Sequence, residues 1–342
     1  MSCENTKCAQ TVLVKAQNLK KYFDVSPSLL TRVIEHKPRQ LLKAVDDVSL
    51  EIRRGETLSL VGESGCGKST TARMLVGLDA PTAGHVEVDG KDLYGSRGKD
   101  AKLVRGKIQM IFQDPYASLN PRWKVGKLVA EPIVAQNLIK DPKEIEARVN
   151  SVLHLVNLSK EAKDKYPHQF SGGQRQRISI ARAIAVHPEF LVCDEPTSAL
   201  DVSVQAQVLN LMQTLQREVG LTYLFISHNL SVVHHISDRV GVMYLGRLVE
   251  LADKRTLFNE PRHPYTRMLL EAIPDLTQPH RERTEITGEV PNPLSPPRGC
   301  PFHPRCPYAN ERCRKETPIR RVVDAHGSAA EVACHAVQEM RL

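Results

Sequence analysis

The chain contains no uninterrupted apolar run approaching the ~18–20 residues that a membrane-crossing helix needs, which excludes a helical integral membrane protein. Its first eight residues, Met1-Ser2-Cys3-Glu4-Asn5-Thr6-Lys7-Cys8, have no apolar core of a secretory signal. The expected placement is therefore cytosolic, with any membrane docking made through a partner. No internal repeat and no low-complexity tract occurs, which excludes solenoid and fibrous classes. Cysteines number eight, yet no Cys-x2-Cys pair or ferredoxin-type run is found. In a cytosolic chain they are not expected to be disulfides. What is present is ordinary in bulk. The 342 residues suffice for about two domains. The net charge of +8 suits nucleotides, nucleic acid or an anionic surface, and equally a solvated exterior.

Short apolar runs alternate with helical spacing. Residues 12–23, 45–52, 57–61, 108–112, 190–193, 223–226 and 240–244 read as strands. Residues 24–42 read as a loop. Lys68 to Leu78 has helical spacing, and Asp141 to Leu158 is an amphipathic helix with Pro142 at its start. This order implies a mostly parallel sheet covered on both faces, an α/β fold, with a helical insert at about 124–186. Twelve of the 22 prolines lie from Pro261 onward. Residues 256–342 are therefore expected to be a loop-rich extension to a 12–255 domain.

Gly62-Glu63-Ser64-Gly65-Cys66-Gly67-Lys68-Ser69-Thr70 joins a strand to a helix. Glycines let backbone N–H groups approach phosphate oxygens, and the helix N-terminus adds a favourable field. Lys68 is expected on the β- and γ-phosphates and Ser69 on Mg²⁺. The apolar run Phe190–Cys193 ends in Asp194 and Glu195. After a phosphate loop, Asp194 is expected in the Mg²⁺ shell and Glu195 as the base that polarises water. Gln113 and His228 end neighbouring strands, where ligands bind in such sheets. Gln113 is expected to contact Mg²⁺ or the lytic water, and His228 the γ-phosphate.

Ser171-Gly172-Gly173-Gln174 precedes a helix expected over Arg175 to Val186 and forms a second anion site with its N-terminus. Two anion sites for one γ-phosphate imply two cassettes head to tail. With these motifs in place, residues 12–255 resemble an ABC-transporter nucleotide-binding subunit. The resemblance implies an ATP-binding, ATP-hydrolysing P-loop domain with a helical subdomain. It also implies that Phe23 (or Tyr22) stacks on adenine, that Gln113 senses the membrane partner, that Ser198-Ala199-Leu200-Asp201 acts across the dimer and that His228 is the switch. No motif departs from the catalytically competent pattern.

The lengthened 24–42 segment, Gln113-Asp114-Pro115-Tyr116-Ala117-Ser118-Leu119-Asn120-Pro121-Arg122 and Pro261-Arg262-His263-Pro264-Tyr265-Thr266 resemble the ATP-binding subunits of dipeptide and oligopeptide importers. Within that family the likeness is strongest to the subunit that works beside a different ATPase. It implies a heterodimer with a second ABC ATPase, two permeases, a substrate-binding protein, a peripheral place on the cytoplasmic face of the inner membrane, and no nucleic-acid partner. Nickel and glutathione importers share much of the pattern. A soluble ABC ATPase of ribosomes or DNA, and an exporter subunit, fit less well. The tail cysteines Cys300, Cys306, Cys313 and Cys334 suit zinc, an iron–sulfur cluster or free thiols on chemistry alone. The family resemblance favours a [4Fe–4S] cluster. Cys66 and Cys193 read as small buried hydrophobes.

Overall fold

The computed structural model describes residues 11–28, 31, 32, 34, 38–272, 288–325 and 328–342. Cys3 and Cys8 lie outside the described residues. Two compact units are present, each built from several chain segments: residues 1–15, 50–57 and 86–225 in the first, and 16–49, 58–85 and 226–342 in the second. Strands Val12–Asp24, Leu41–Arg53 and Ala83–Val88 have residues in both units. Each unit holds its own ladder of them, as in Asp89 N–H to Leu13 C=O (2.7 Å) in the first and Thr82 N–H to Lys20 C=O (2.7 Å) in the second.

In the first unit the strand order is 222–225 (of strand Thr222–Ile226), Phe190–Asp194, Ile108–Ile111. Ile108 to Ile111 runs parallel to Phe190 to Cys193 in register. Every residue of Phe190–Asp194 and of Thr222–Ile226 is buried. That is why these strands read as continuous apolar runs without alternation. The helical insert contains Val125–Ala135, Pro142–Leu155 and Gly172–Ile184. Asp141 caps the second of these from outside by accepting from Lys143 N–H at 3.1 Å, so the expected start is one residue early. Helix Val202–Val219 stops at Gly220, whose φ of 73° only glycine adopts without cost.

In the second unit, Leu58–Val61 runs parallel to Arg239–Val242. Arg239–Tyr244 then turns back antiparallel into Arg247–Asp253. Two further strands follow from the tail: Ser328–Val332 pairs with 250–252, and Arg321–Ala325 pairs with Ser328–Val332. The expectation of a loop-rich extension needs this correction. Proline-broken loops are present, but the tail also adds two strands and helices Lys254–Asn259 and Pro264–Glu271. Tyr265, Phe302, Val332 and Ala336 pack with Val242 and Tyr244 in one buried cluster. Short strands with small residues (Ser-Ala-Ala-Glu-Val) carry too weak an alternation to be read from the chain. Among the described residues, no helix is long and apolar enough to cross a membrane.

Candidate functional site

The expected site residues fall in both units. The phosphate loop, Phe23 and His228 belong to the second unit, and Gln113, Ser171–Gln174, Asp194 and Glu195 to the first.

The phosphate loop follows the buried strand Thr57–Val61 and precedes helix Lys68–Leu75. Gly62, Gly65 and Gly67 have φ of 147°, 78° and 103°. At Gly67 a Cβ would stand 2.3 Å from the Ala44 carbonyl oxygen, and at Gly62 2.2 Å from that of Met243. Glycine is therefore dictated there by both backbone angle and close approach. Lys68 is buried, and its ammonium donates to the Gly62 carbonyl (2.8 Å) and the Glu63 carbonyl (3.0 Å). Thr71 Oγ1 ties the helix start to the Gly67 carbonyl at 3.0 Å. Ser64, Gly65 and Ser69 are exposed and Thr70 half-buried. Burial pushes the Cys66 thiol up, in keeping with a packing role.

Phe23 and Tyr22 separate by environment. The Tyr22 hydroxyl donates to Asp46 Oδ1 at 2.6 Å, and burial with this bond pushes its phenol up to about 12. Asp46 also accepts from Arg247 Nη2 at 2.5 Å. Phe23 is 37% exposed, with the Lys21 ammonium 5.3 Å from its ring centre. Of the two aromatics, Phe23 has the open face. His228 is exposed, two residues past strand Thr222–Ile226.

In the first unit, Gln113 Nε2 donates to Glu195 Oε2 at 3.1 Å, joining two residues 82 positions apart. Gln113 sits two residues beyond its strand and is exposed. Asp194 ends the buried strand, and Glu195 follows it with φ of 47°, a left-handed backbone that a non-glycine residue adopts only when its surroundings hold it. Asp114 then caps the short helix Pro115–Ser118 through Tyr116 N–H at 2.7 Å.

Ser171 and Gln174 form a capping box. Ser171 Oγ accepts from Gln174 N–H (3.4 Å) and Gln174 Oε1 accepts from Ser171 N–H (3.0 Å). This pre-sets the N-terminus of helix Gly172–Ile184. Gly173 leaves no room for a Cβ, which would meet Val204 Cγ1 at 2.3 Å. Arg175 pins the helix by donating from Nε to the Pro167 carbonyl at 2.8 Å and stacking 3.9 Å above the Tyr116 ring. Arg182 holds the Ser118 carbonyl (2.7 Å) and Glu131 (2.9 Å), so the segment after Gln113 is fastened to the helical insert. The Ser198–Asp201 turn is fastened by Gln205 Nε2 to the Thr197 and Leu200 carbonyls at 2.8 and 2.9 Å.

The four tail thiols share one neighbourhood. Burial first, then the charges of Cys334, Cys313 and Cys306, push the Cys300 thiol up to about 12. Cys306 is pushed up to about 11, again chiefly by burial. Among the described residues, however, no group of three or more His, Cys, Asp or Glu side chains is arranged to hold a metal ion. The expected metal site at Cys300, Cys306, Cys313 and Cys334, whether zinc or iron–sulfur, is therefore not borne out.

Sequence reasoning missed a third set of residues. Tyr244, Tyr265 and Arg305 surround Glu63 of the phosphate loop. No spacing or periodicity marks them. The only signal was Pro261–Thr266, which the sequence singled out without a role.

Comparison with known proteins places the chain in a family. Residues 45–198 match the family described as "ABC transporter", and residues 249–313 match "Oligopeptide/dipeptide transporter, C-terminal region". The dipeptide transport ATP-binding protein DppF of Haemophilus influenzae is 49% identical over 325 residues, covering 95% of this chain and 96% of the relative. The oligopeptide transport ATP-binding protein AppF of Bacillus subtilis is 47% identical over 336 residues, covering 96% and 99%. Among solved structures, the ATP-binding cassette MJ0796, a dimer in a post-hydrolysis state bound to ADP and Pi, superposes with a TM-score of 0.61. It is 28% identical and covers 71% of this chain and 99% of that one. A phosphate loop, a strand-end Asp-Glu pair, a capped Ser-Gly-Gly-Gln helix and a matched tail meet in one chain, which belongs to the ATP-binding subunits of the oligopeptide/dipeptide ABC transporter family.

Proposed function

We propose that this chain hydrolyses ATP to drive import of dipeptides or short oligopeptides through membrane permeases. The observation that carries the reading is the combination, over nearly the whole chain, of an ABC cassette with the oligopeptide/dipeptide tail. The residues fit ATP and Mg²⁺: a glycine cradle, a buried ammonium inside it, and a carboxylate pair at a strand end. Lys68 binds the β- and γ-phosphates, with the loop from Gly62 to Thr70 around them. Ser69, Asp194 and Gln113 serve the Mg²⁺ shell, which supplies charge neutralisation on the phosphates. Glu195 takes the proton of the attacking water, and its hydrogen bond with Gln113 supports a pair that reports nucleotide state to the permease side. His228 contacts the γ-phosphate and Phe23 stacks on adenine.

Ser171, Gly172, Gly173 and Gln174 bind the γ-phosphate of a nucleotide held by a second ATPase subunit. The dimeric state of the MJ0796 cassette and the exposure of Ser171 and Gln174 support this. The full assembly in this reading has two different ATPases, two permeases and a substrate-binding protein, with this chain peripheral on the cytoplasmic face. Residues 12–255 form the ATPase part and 256–342 the extension. Cys300, Cys306, Cys313 and Cys334 are the candidate ligands of a [4Fe–4S] group, supported by their common neighbourhood and by the family tail. Iron and sulfide below stoichiometric levels in anaerobically purified chain would sink that assignment.

The test of function is uptake of labelled di- and tripeptides in cells lacking this chain. Restoration by the wild type and not by Lys68→Ala supports peptide import. Restored uptake of nickel or glutathione, with peptide uptake unchanged, would reassign the cargo.

A further inference from the structure

Two parts of the tail have no share in the nucleotide chemistry above, yet both reach the phosphate loop. The first is the segment Pro261–Thr266. Glu250, fully buried, accepts from Arg262 N–H at 2.8 Å and from His263 N–H at 3.0 Å. His263 Nδ1 then accepts from Tyr265 N–H at 3.0 Å, capping helix Pro264–Glu271. So held, the buried Tyr265 hydroxyl accepts from the backbone N–H of Glu63 at 3.0 Å. The second is the turn between Cys300 and Cys306. It is closed by His303 N–H to the Cys300 carbonyl (3.0 Å), Arg305 N–H to the Phe302 carbonyl (3.0 Å) and Cys306 N–H to the His303 carbonyl (3.3 Å).

Arg305 leaves that turn and takes the Glu63 carboxylate in a two-point fork, Nη1 to Oε2 at 2.9 Å and Nη2 to Oε1 at 3.1 Å. The Arg305 side chain is 2% exposed, and its Nη1 also reaches the Tyr244 hydroxyl at 3.4 Å. The rings of Tyr244, Tyr265 and Phe302 wall the pair, with centres 4.6–5.5 Å apart. A buried guanidinium needs its carboxylate, because removing either partner leaves an uncompensated charge in a poorly solvating place. A planar fork also fixes orientation, which a point charge does not. Glu63 is thus gripped at both its backbone and its side chain, one residue past Gly62 and one before Ser64.

We propose that Tyr265 and Arg305 are positioning residues of the nucleotide site: the extension sets the shape of the phosphate loop, and nucleotide affinity depends on the tail being seated. A corollary is that chemistry at Cys300 or Cys306, which bracket the Arg305 turn, passes to the loop through Glu63. This rests on the reading of residues 62–69 as the phosphate loop.

The experiment uses the full-length chain, a fluorescent ATP analogue at equilibrium, and steady-state hydrolysis. Arg305→Gln and Glu63→Gln are each expected to raise Kd about 10-fold, and the double variant no further, since both break one interaction. Arg305→Lys recovers only part, having charge without the fork. Tyr265→Phe raises Kd about 3-fold through one lost hydrogen bond and carries the test if Arg305→Gln does not fold. For Arg305→Gln and Tyr265→Phe the change is expected in KM, with kcat at saturation retained. A purely structural role would lower Tm and leave Kd within about 2-fold at temperatures well below it. That result, with Lys68→Ala losing binding, overturns the proposal while the phosphate-loop reading stands. Wild-type binding by Lys68→Ala would overturn that reading and the proposal with it.

Discussion

His263 makes the second unit acid-labile in a calculable way. The imidazole is fully enclosed, and burial depresses its pKa to about 3 from an ordinary 6.5. The neutral ring is also what its place demands, since Nδ1 must accept from Tyr265 N–H. In the unfolded chain the ring titrates normally, so below about pH 6.5 the unfolded state binds a proton that the native state refuses. Stability is therefore complete above that pH and is lost as pH falls toward 3. Linkage gives a loss of about 1.4 kcal/mol at about pH 5.5 and about 2.7 kcal/mol at about pH 4.5. The first corresponds to a Tm drop of roughly 3–6 °C for a unit of this size. Glu250 faces the same segment and has the opposite sign. Burial raises its pKa, so its contribution is lost as pH rises through the window between its unfolded and folded values. His263→Asn separates the two, because Asn offers a capping oxygen near the Nδ1 position but does not titrate. The assay is urea unfolding of wild type and variant across that pH range. The asparagine protein is expected to be less stable near pH 7.5, from lost packing on Phe302. The gap should then close by about 2.7 kcal/mol on reaching about pH 4.5. Parallel curves would refute the reasoning, since they would mean His263 is protonated in the native state.

Three further outcomes are expected. Glu195→Gln should bind ATP and dimerise while hydrolysis falls about 10²–10⁴-fold, read by single-turnover phosphate release; normal turnover would remove Glu195 as the base. Gly67→Ala forces a Cβ to 2.3 Å from the Ala44 carbonyl at φ of 103°, costing upward of about 1–3 kcal/mol, and should abolish nucleotide binding by calorimetry. Ser171→Ala removes the helix cap, destabilising by about 1 kcal/mol, and should weaken ATP-dependent dimerisation more than binding to the isolated chain, as measured by light scattering.

The local chemistry was legible because it is written in contiguous residues. Gly62–Gly67 must be glycine-rich where the loop takes positive φ and passes close to other backbone, and a buried parallel strand such as Phe190–Asp194 must be apolar along its length. Patterns of this kind survive reading one residue at a time. The start of Pro142–Leu155 was equally local and was found to within a residue, whereas the helix expected from Arg175 begins at Gly172, because the Ser171–Gln174 capping box draws the two glycines into its first turn. Tail strands Arg321–Ala325 and Ser328–Val332 were not found, because short runs of small and charged residues carry no clear alternation.

Contacts between distant residues had no such signature. Gln113 and Glu195 were each expected in the site, but only folding sets them 3.1 Å apart. Phe23 and Tyr22 were indistinguishable until the Asp46 bond engaged one of them. The four tail cysteines showed the reverse: spacing left their role open, and only folding gathered them into one neighbourhood, where the charges of Cys334, Cys313 and Cys306 act on Cys300. Residue order along the chain was enough to propose the phosphate chemistry. Tertiary packing alone brought Arg305 across 242 positions to Glu63, because a buried charge is tolerated only where its partner is delivered to it.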